Sequence, residues 1–300
     1  MCVVRLNQAV EGSMIEMVNS NKLSAEQKEA FESEGYLGLP AFIDDEWLVR
    51  LTEAAQRAVE DSRDITETNE WFDVESNHAA CNPRLRRLMK PQDYDSVFWE
   101  FASEGPFTDL AEDLLGPDVK FHHGKLNFKW SDGGAEVKWH QDIPFWPHTS
   151  YNVLTIGLAL DEIDDSMGPM GVVPGSHKGP IFNHYAPDGR WQGFINKSDL
   201  LSVAIGRAGY IKGPAGTVTV HHCRAVHGSQ PNVHPVKPRP LLLFAYSRAA
   251  SLPIMPYNQN SRYNGAIVRG CHPIYPEVDR ELCPLPPLKG QRSIFESQQD

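Results

Sequence analysis

Lys138-Trp139-His140-Gln141-Asp142 is the run from which the rest of the chain is read. Side chains on an extended segment alternate with period two, so His140 and Asp142 project to the same side of a strand. From a strand end they can grip one metal ion. A second histidine from elsewhere would complete a face of two histidines and one carboxylate with open positions opposite, the pattern of non-haem Fe(II) sites. His-X-Asp alone occurs by chance in many chains. A second block raises its value: Val226-His227-Gly228-Ser229-Gln230-Pro231-Asn232, followed by Arg239 and the strand-like Leu241-Leu242-Leu243-Phe244-Ala245-Tyr246.

Around these blocks the texture is β. From Val119 onward, short apolar or alternating runs are separated by Gly, Pro, Asp and Asn: Phe121–Trp130, Glu136–His140, Tyr151–Asp161, Gly171–Val173, Gly209–Ile211, Thr217–His221 and Leu241–Ser247. Many short strands with turn signals between them predict an antiparallel sandwich or barrel. Ahead of it the pattern is helical. Ser24 with Gln27 three residues on reads as a capping box, and Gly35 as the stop. Tyr36–Pro40 reads as a short strand. Asp44 or Asp45 caps a second helix to about Ser62, whose Trp47, Leu48, Leu51, Ala55, Ala58 and Val59 form one apolar stripe. A third helical stretch, about Ser96–Leu115, breaks at Gly105-Pro106. Residues 63–82, polar with Trp71 and Phe72 inside, read as a surface loop or a lid. The expected organisation is an N-terminal arm (1–22) and a single domain (23–300). Within that domain come a helical part at about 23–116, a β core at about 117–250 and a C-terminal wrap over 251–300.

Composition narrows the class of function. At 300 residues the chain is long enough to bury a substantial core. A net charge of −11 argues against general binding to nucleic acid or an anionic membrane, which needs a basic surface. The five cysteines are scattered and odd in number, without CxxC spacing, and read as reduced thiols. Met1–Lys22 lacks the apolar core of a secretory signal, and no run approaches the roughly 20 apolar residues of a membrane span. The expectation is a soluble, cytoplasmic protein, monomeric or homodimeric, acting on a small molecule.

His227 is the best third ligand, placed just before a Gly228-Ser229 turn from which a hairpin with the 241–246 strand would carry it to the first pair. His221, His222 and His234 compete for the role. Of the adjacent His221 and His222 only one faces inward on a strand, and the pair His122-His123 has the same reading. Dedicated zinc is less attractive, because there is no HExxH and no cysteine pair near the histidines. Arg239 stands between Pro238 and Pro240 at a strand entrance, where a buried guanidinium offers two parallel donors to a carboxylate.

At this point the residues resemble a family. His140-Gln141-Asp142, the turn Val173-Pro174-Gly175-Ser176-His177-Lys178, and His227-Gly228-Ser229 with Arg239 look like the phytanoyl-CoA dioxygenase family of Fe(II)/2-oxoglutarate oxygenases. Leu23-Ser24-Ala25-Glu26-Gln27 with Phe31, Gly35 and Tyr36 resembles its opening helix and strand, so the likeness runs from about 23 to 250. The resemblance implies a mainly β fold, a double-stranded β-helix (jelly roll) with buttressing helices. It implies that His140, Asp142 and His227 bind Fe(II), and that Arg239 with the Ser229 hydroxyl holds the distal carboxylate of 2-oxoglutarate. Lys90, in Met89-Lys90-Pro91-Gln92-Asp93, is similar to a lysine that reaches the cosubstrate in some members. His177 falls in the family's Pro-Gly-Ser-His turn and reads as structural.

The implied activity consumes O2 and 2-oxoglutarate, releases succinate and CO2, and oxidises an unactivated C–H bond, with ascorbate as a supporting reductant. Related halogenases carry a small residue where this chain has Asp142, so the carboxylate implies oxygen chemistry and not chlorination. Trp139, Phe145, Trp146 and Trp191 suggest an apolar or aromatic pocket wall, and His148, Asn152, Arg248 and Arg262 are candidates to orient polar groups. The alternatives are a jelly-roll metal-binding or regulatory protein without turnover and, less well supported, a zinc-dependent hydrolase.

Overall fold

The computed structural model describes residues 22–131, 134–257, 259–287 and 294–298, so the expected arm over 1–22 lies, Lys22 apart, outside the described residues. The chain opens with helix α1 (Ala25–Glu34), strand β1 (Tyr36–Leu39), helix α2 (Asp45–Asp61), the strands β2 (Phe72–Val74) and β3 (Leu85–Leu88), and the helices α3 (Pro91–Tyr94), α4 (Ser96–Glu104) and α5 (Pro106–Leu115). Their boundaries have chemical causes. The Ser24 hydroxyl accepts the Gln27 N–H while the Gln27 side chain accepts the Ser24 N–H, the reciprocal cap expected. Asp44 accepts the Trp47 N–H at the start of α2. Gly105 ends α4, and Pro106 opens α5, where its missing N–H costs nothing. Gly35 ends α1 in the left-handed region (φ 80°), and a Cβ there would come within 2.3 Å of the His177 ring. The His177 Nε2 in turn bonds the Glu32 carbonyl, which supports the structural reading of that histidine.

Strands β4 (Val119–Lys129), β5 (Val137–His140), β6 (Val153–Ala159) and β7 (Met170–Val172) follow; then come the short α6 (Lys197–Leu200), strands β8 (Gly209–Ile211), β9 (Val218–His222), β10 (His227–Ser229), β11 (Arg239–Arg248) and β12 (Ile267–Arg269), and α7 (Ile294–Ser297). They form an eight-stranded sheet, β1-β9-β6-β11-β4-β3-β2 with β12 also on β4, and a four-stranded sheet, β5-β10-β7-β8. Every pairing is antiparallel. This is the jelly roll expected.

The large sheet separates its two faces by the period of the strand. On one face, Leu126, Leu242, Leu158 and Val218 form a row, and Phe244, Ile156 and Val220 form the next. These residues share one core with Phe31, Leu51, Phe98, Phe101, Phe107 and Leu110 of the helices. Each such side chain contributes about 1.5–3 kcal/mol by leaving water. The other face looks toward the small sheet and sets Lys125, Asn127, Thr155, His221 and Arg239 among apolar residues such as Leu241 and Leu243.

Two expectations are corrected. Residues 63–82 are not simply an irregular loop: Phe72–Val74 pairs with β3, which continues the large sheet beside β4. Three residues are too few for alternation to show. Gly228-Ser229 is not a turn but part of β10, which pairs with β5 and β7 while β11 lies in the other sheet. The C-terminal region does wrap the core. β12 pairs with β4, Asp279 accepts the Tyr151 N–H, and Tyr263 stacks on Trp99 at 3.8 Å. The four described cysteines are free thiols.

Candidate active site

Direct strand pairing, not a hairpin, joins the two metal motifs. His227 of β10 and His140 of β5 are register partners across the small sheet, and their rings lie 4.1 Å apart. Close approach of these strands requires Gly228, where a Cβ would meet the Val137 carbonyl at 2.9 Å. Asp142 follows β5 at the start of a 3-10 turn, which swings its carboxylate back toward the pair. Its Oδ1 lies 3.8 Å from the Nε2 of both His140 and His227.

These three side chains fit a metal ion. The Nδ1 atoms of His140 and His227 each lie 2.9 Å from a carbonyl, of Lys138 and Ala225. A carbonyl only accepts, so each Nδ1 carries the hydrogen and each Nε2 is left as a lone pair. Among the described residues this is the group of His, Cys and acidic side chains whose ligand atoms converge within 4.8 Å. Burial holds the His140 imidazole down to about 4 despite the opposing pull of Asp142, and holds His227 well below its usual value. Burial alone would raise Asp142. The hydrogen bond from His221 and the charges of His227 and Lys125 outweigh it and keep the carboxyl well below the usual range. The set therefore stands at neutral pH as two neutral imidazoles and one carboxylate, the states a divalent ion requires.

The second carboxylate oxygen has its own partners. Asp142 Oδ2 accepts from the Thr155 hydroxyl at 2.9 Å and from His221 Nε2 at 3.1 Å. His221, a rival for third ligand by sequence, thus holds the acid in place. Gln141, between the two ligands, is buried: its side chain donates to the Pro180 and Arg224 carbonyls and accepts the Phe182 N–H. Its own N–H is donated to His184 Nε2.

The triad opens on a cavity that also holds Lys125, Ser229 and Arg239 and is bounded by Ile294 and Phe295 of α7. Arg239 is 4% exposed, and its Nε has no hydrogen-bond partner. Burial pulls its guanidinium down to about 10, so it stays protonated at neutral pH. Directly across the strands stands Lys129, 1% exposed. Its ammonium donates to the Ser229 hydroxyl at 2.7 Å and to the carbonyls of Ser229 and Gln230. Burial and the neighbouring Arg239 push the Lys129 amine well below its usual range, so this end of the cavity is short of negative charge.

Lys90 is not brought to this cavity. Its ammonium lies 3.1 Å from Glu70 and 4.1 Å from the centre of the Trp71 ring. The cations at the site are Lys125 and Arg239, with Lys129 behind Ser229. Sequence reasoning passed over Lys125 and Lys129, although the alternation His123-Gly124-Lys125-Leu126-Asn127-Phe128-Lys129 puts the polar residues on one face. Asn152 and Arg248 are engaged by Glu277, and Arg262 lies beside Asp93 near the surface. Of the aromatics, Phe145 stands edge-on to His140 at 5.8 Å and Trp191 edge-on to Phe145 at 5.3 Å. Trp139 packs with Val173, Ile195 and Val226.

A jelly roll with two histidines, one carboxylate and a buried cationic end defines the non-haem iron, 2-oxoglutarate-dependent dioxygenases. The comparisons agree. The family model described as Phytanoyl-CoA dioxygenase (PhyH) matches residues 31–239, and the chain belongs to that family. It is 32% identical over 279 residues to a probable alpha-ketoglutarate-dependent hypophosphite dioxygenase of Stutzerimonas stutzeri, covering 91% of this chain and 96% of the relative. It is 28% identical to L-proline trans-4-hydroxylase of Streptomyces griseoviridis, over 69% of this chain and 78% of that one. In fold it is similar to EctD from S. alaskensis with bound Fe, with a TM-score of 0.67 and 22% identity over 90% of this chain and 93% of that one. The protein is thus an Fe(II)- and 2-oxoglutarate-dependent dioxygenase.

Proposed function

We propose that His140, Asp142 and His227 hold Fe(II), that Arg239 and the Ser229 hydroxyl take the distal carboxylate of 2-oxoglutarate, and that the substrate is a small polar acid. The observation that carries the reading is the buried, unpartnered Arg239 at one end of the cavity that holds the triad. Lys125, whose own value burial lowers and Asp142 raises, lies beside the metal ligands and suits the second carboxylate. Arg239 and Leu243 are about 13 Å apart along the strand at the usual rise of about 3.3 Å per residue. That length accommodates a five-carbon diacid.

Bound Fe(II) supplies oxygen activation coupled to oxidative decarboxylation of 2-oxoglutarate to succinate and CO2. The chain's own residues orient and enclose. Thr155 and His221 pin Oδ2 of Asp142, so the carboxylate presents Oδ1 to the ion. Lys129 holds the Ser229 hydroxyl by donating to its oxygen at 2.7 Å. Gln141 ties the ligand loop to residues 180–184, and Gln298 closes the mouth by accepting the Lys138 N–H at 2.7 Å and donating to the Gly193 carbonyl at 2.9 Å. Ile294 and Phe295 of α7 wall the cavity, and Phe145 stands edge-on to His140 beside it.

Two relatives support the substrate class: hypophosphite and L-proline are compact and carry an acidic group. With a net charge of −11, and no helix among the described residues long and apolar enough to cross a membrane, this reading has no nucleic-acid or membrane partner. It places the enzyme in the cytoplasm, as a monomer or homodimer.

The test is succinate formation in air with Fe(II), ascorbate and 2-oxoglutarate across a panel of small acids, amines and acyl thioesters. At least one small acid is expected to raise succinate well above the Asp142→Ala background. Stimulation by acyl thioesters alone would overturn the substrate class. No succinate with any compound, together with no 2-oxoglutarate binding, would overturn the whole assignment.

A further inference from the structure

The cavity that holds the triad has walls of two kinds. Apart from Asp142, which follows β5, its lining residues from Lys125 to Leu243 lie on strands β4, β5, β6, β7, β9, β10 and β11. The remaining two, Ile294 and Phe295, belong to the four-residue helix α7. Along one side the two sheets meet directly, where a Cβ on Gly38 of β1 would stand 3.1 Å from Ile211 of β8. On the other side α7 bridges the edge strand β5 of the small sheet and strand β3 of the large one.

The bridge is made by side chains. The Phe295 ring, 4% exposed, packs against the guanidinium groups of Arg87 and Arg86, which lie 4.9 and 5.6 Å from its centre. Arg87 Nε donates in turn to Asn127 Oδ1 at 2.8 Å, and Asn127 lines the cavity. Gln298, directly after α7, holds the β5 side. An edge strand presents N–H groups that have no strand neighbour. The Gln298 carboxamide takes that neighbour's place, accepting the Lys138 N–H at 2.7 Å and donating to the Gly193 carbonyl at 2.9 Å. The Lys138 ammonium donates to the Gln298 carbonyl. Gly193 has φ 66°, and a Cβ there would meet Ser297 and Phe145 at 3.2 Å each, so this seat needs glycine.

A five-carbon diacid needs a way into this space. Parting β5 from β10 would separate His140 from His227, which are register partners. Parting strands of the large sheet would break hydrogen-bonded ladders that open only together. Withdrawing α7 gives up the Gln298 contacts and the burial of Phe295, so α7 is the wall that yields first. What it uncovers is cationic. Arg86, Arg87 and Lys138 touch α7, and Lys125 and Arg239 lie within the cavity, in a protein of net charge −11. Arg86 also has Asp73 at 3.4 Å. Cations at the mouth and inside attract a dianion. On closure, Gln298 takes the N–H of the residue whose carbonyl holds His140 Nδ1, so shutting the cavity and setting a metal ligand meet at Lys138.

We infer that α7 is the gate of this cavity, with Phe295 as its plug and Gln298 as its latch, and that 2-oxoglutarate enters between β5 and β3 when α7 withdraws. This rests on the dioxygenase reading and the cosubstrate placement above, and adds the path and the element that controls it.

The test follows binding and not turnover. The full chain loaded with Fe(II) is mixed with 2-oxoglutarate without oxygen, and the visible charge-transfer band of the complex reports the association rate. Titration of the same band gives Kd, and the product of the two is the dissociation rate. Gln298→Met keeps the bulk of the latch without its amide hydrogen bonds, and Phe295→Ala removes the plug. Each should raise the association rate about 10-fold, the gain in open population when two ordinary hydrogen bonds or one buried side chain are lost, and the dissociation rate at least as much. Phe295→Leu should fall between Phe295→Ala and wild type. A fixed wall would leave association unchanged and speed dissociation alone, and a misfolded site would slow association. Unchanged or slower association in either Gln298→Met or Phe295→Ala therefore overturns the gate. A wild-type protein that forms no band would instead overturn the dioxygenase reading, and an unchanged Kd in Arg239→Ala would overturn the placement of the cosubstrate.

Discussion

The two faces of the large sheet are made by the same strands and do opposite work. One row reads Leu126, Leu242, Leu158, Val218; another reads His123, Ala245, Thr155, His221. The first is held by non-directional burial against the helices, so its residues matter by volume and polarity. The second matters atom by atom, because each polar group there needs a particular partner. Stability and activity should therefore separate along the strand, residue by residue.

The largest effect tests the apolar face. Phe244→Ala should cost about 3–5 kcal/mol of unfolding free energy, read from urea denaturation, and leave KM for 2-oxoglutarate unchanged. Arg239→Ala, five residues earlier on β11, should do the reverse. Losing a buried charged hydrogen-bonding partner corresponds to about 2–5 kcal/mol of binding, so KM for 2-oxoglutarate should rise about 30-fold or more. The iron-free variant should melt no lower than wild type, because an uncompensated buried cation has been removed. An Arg239→Ala protein that loses stability and keeps its KM would erase the distinction between the faces.

Acid should reveal the polar interior next. Burial holds His123, His184 and His222 down to about 3 and His148 to about 4, against an ordinary value of 6.5. Between those values the unfolded chain binds more protons than the folded one. Stability is then complete above about pH 6.5 and is lost as pH falls toward 4, by up to about 1.4 kcal/mol per unit for each histidine. Urea midpoints of the iron-free protein at pH 7, 6 and 5 measure this, and Phe244→Ala should shift the curve without changing its slope. A flat profile would contradict the burial of these rings.

The smallest effect belongs to Lys90. Lys90→Met removes an ion pair with a largely exposed partner, Glu70, and should cost no more than about 1 kcal/mol, with KM for 2-oxoglutarate unchanged. A 10-fold rise in that KM would return Lys90 to the cosubstrate.

The legible parts of this protein share a local cause. The cap at Ser24, the stop at Gly35 and the break at Gly105-Pro106 are set by neighbours a few residues away, and the structure places them as the sequence reads. The β texture and the spacing of His140, Asp142 and Arg239 were visible for the same reason, as was the choice of His227 from the motif that contains it. Strand β10 was not, because three residues ending in Gly-Ser carry no alternation and resemble a turn. Lys90 was assigned to the cosubstrate by a family likeness, but it is drawn to Trp71 and Glu70 by contacts no local pattern encodes.

By itself, then, the sequence determined the helical start, the antiparallel core, and the grouping of two histidines, a carboxylate and a buried arginine, read from local periodicity and side-chain chemistry. Only the tertiary structure decided that His227 meets His140 as a strand partner, that His221 bonds the second oxygen of Asp142, and that Lys125 lines the cavity while Lys90 does not. Those outcomes depend on register between strands distant in the chain, where a shift of one residue turns each side chain to the opposite face.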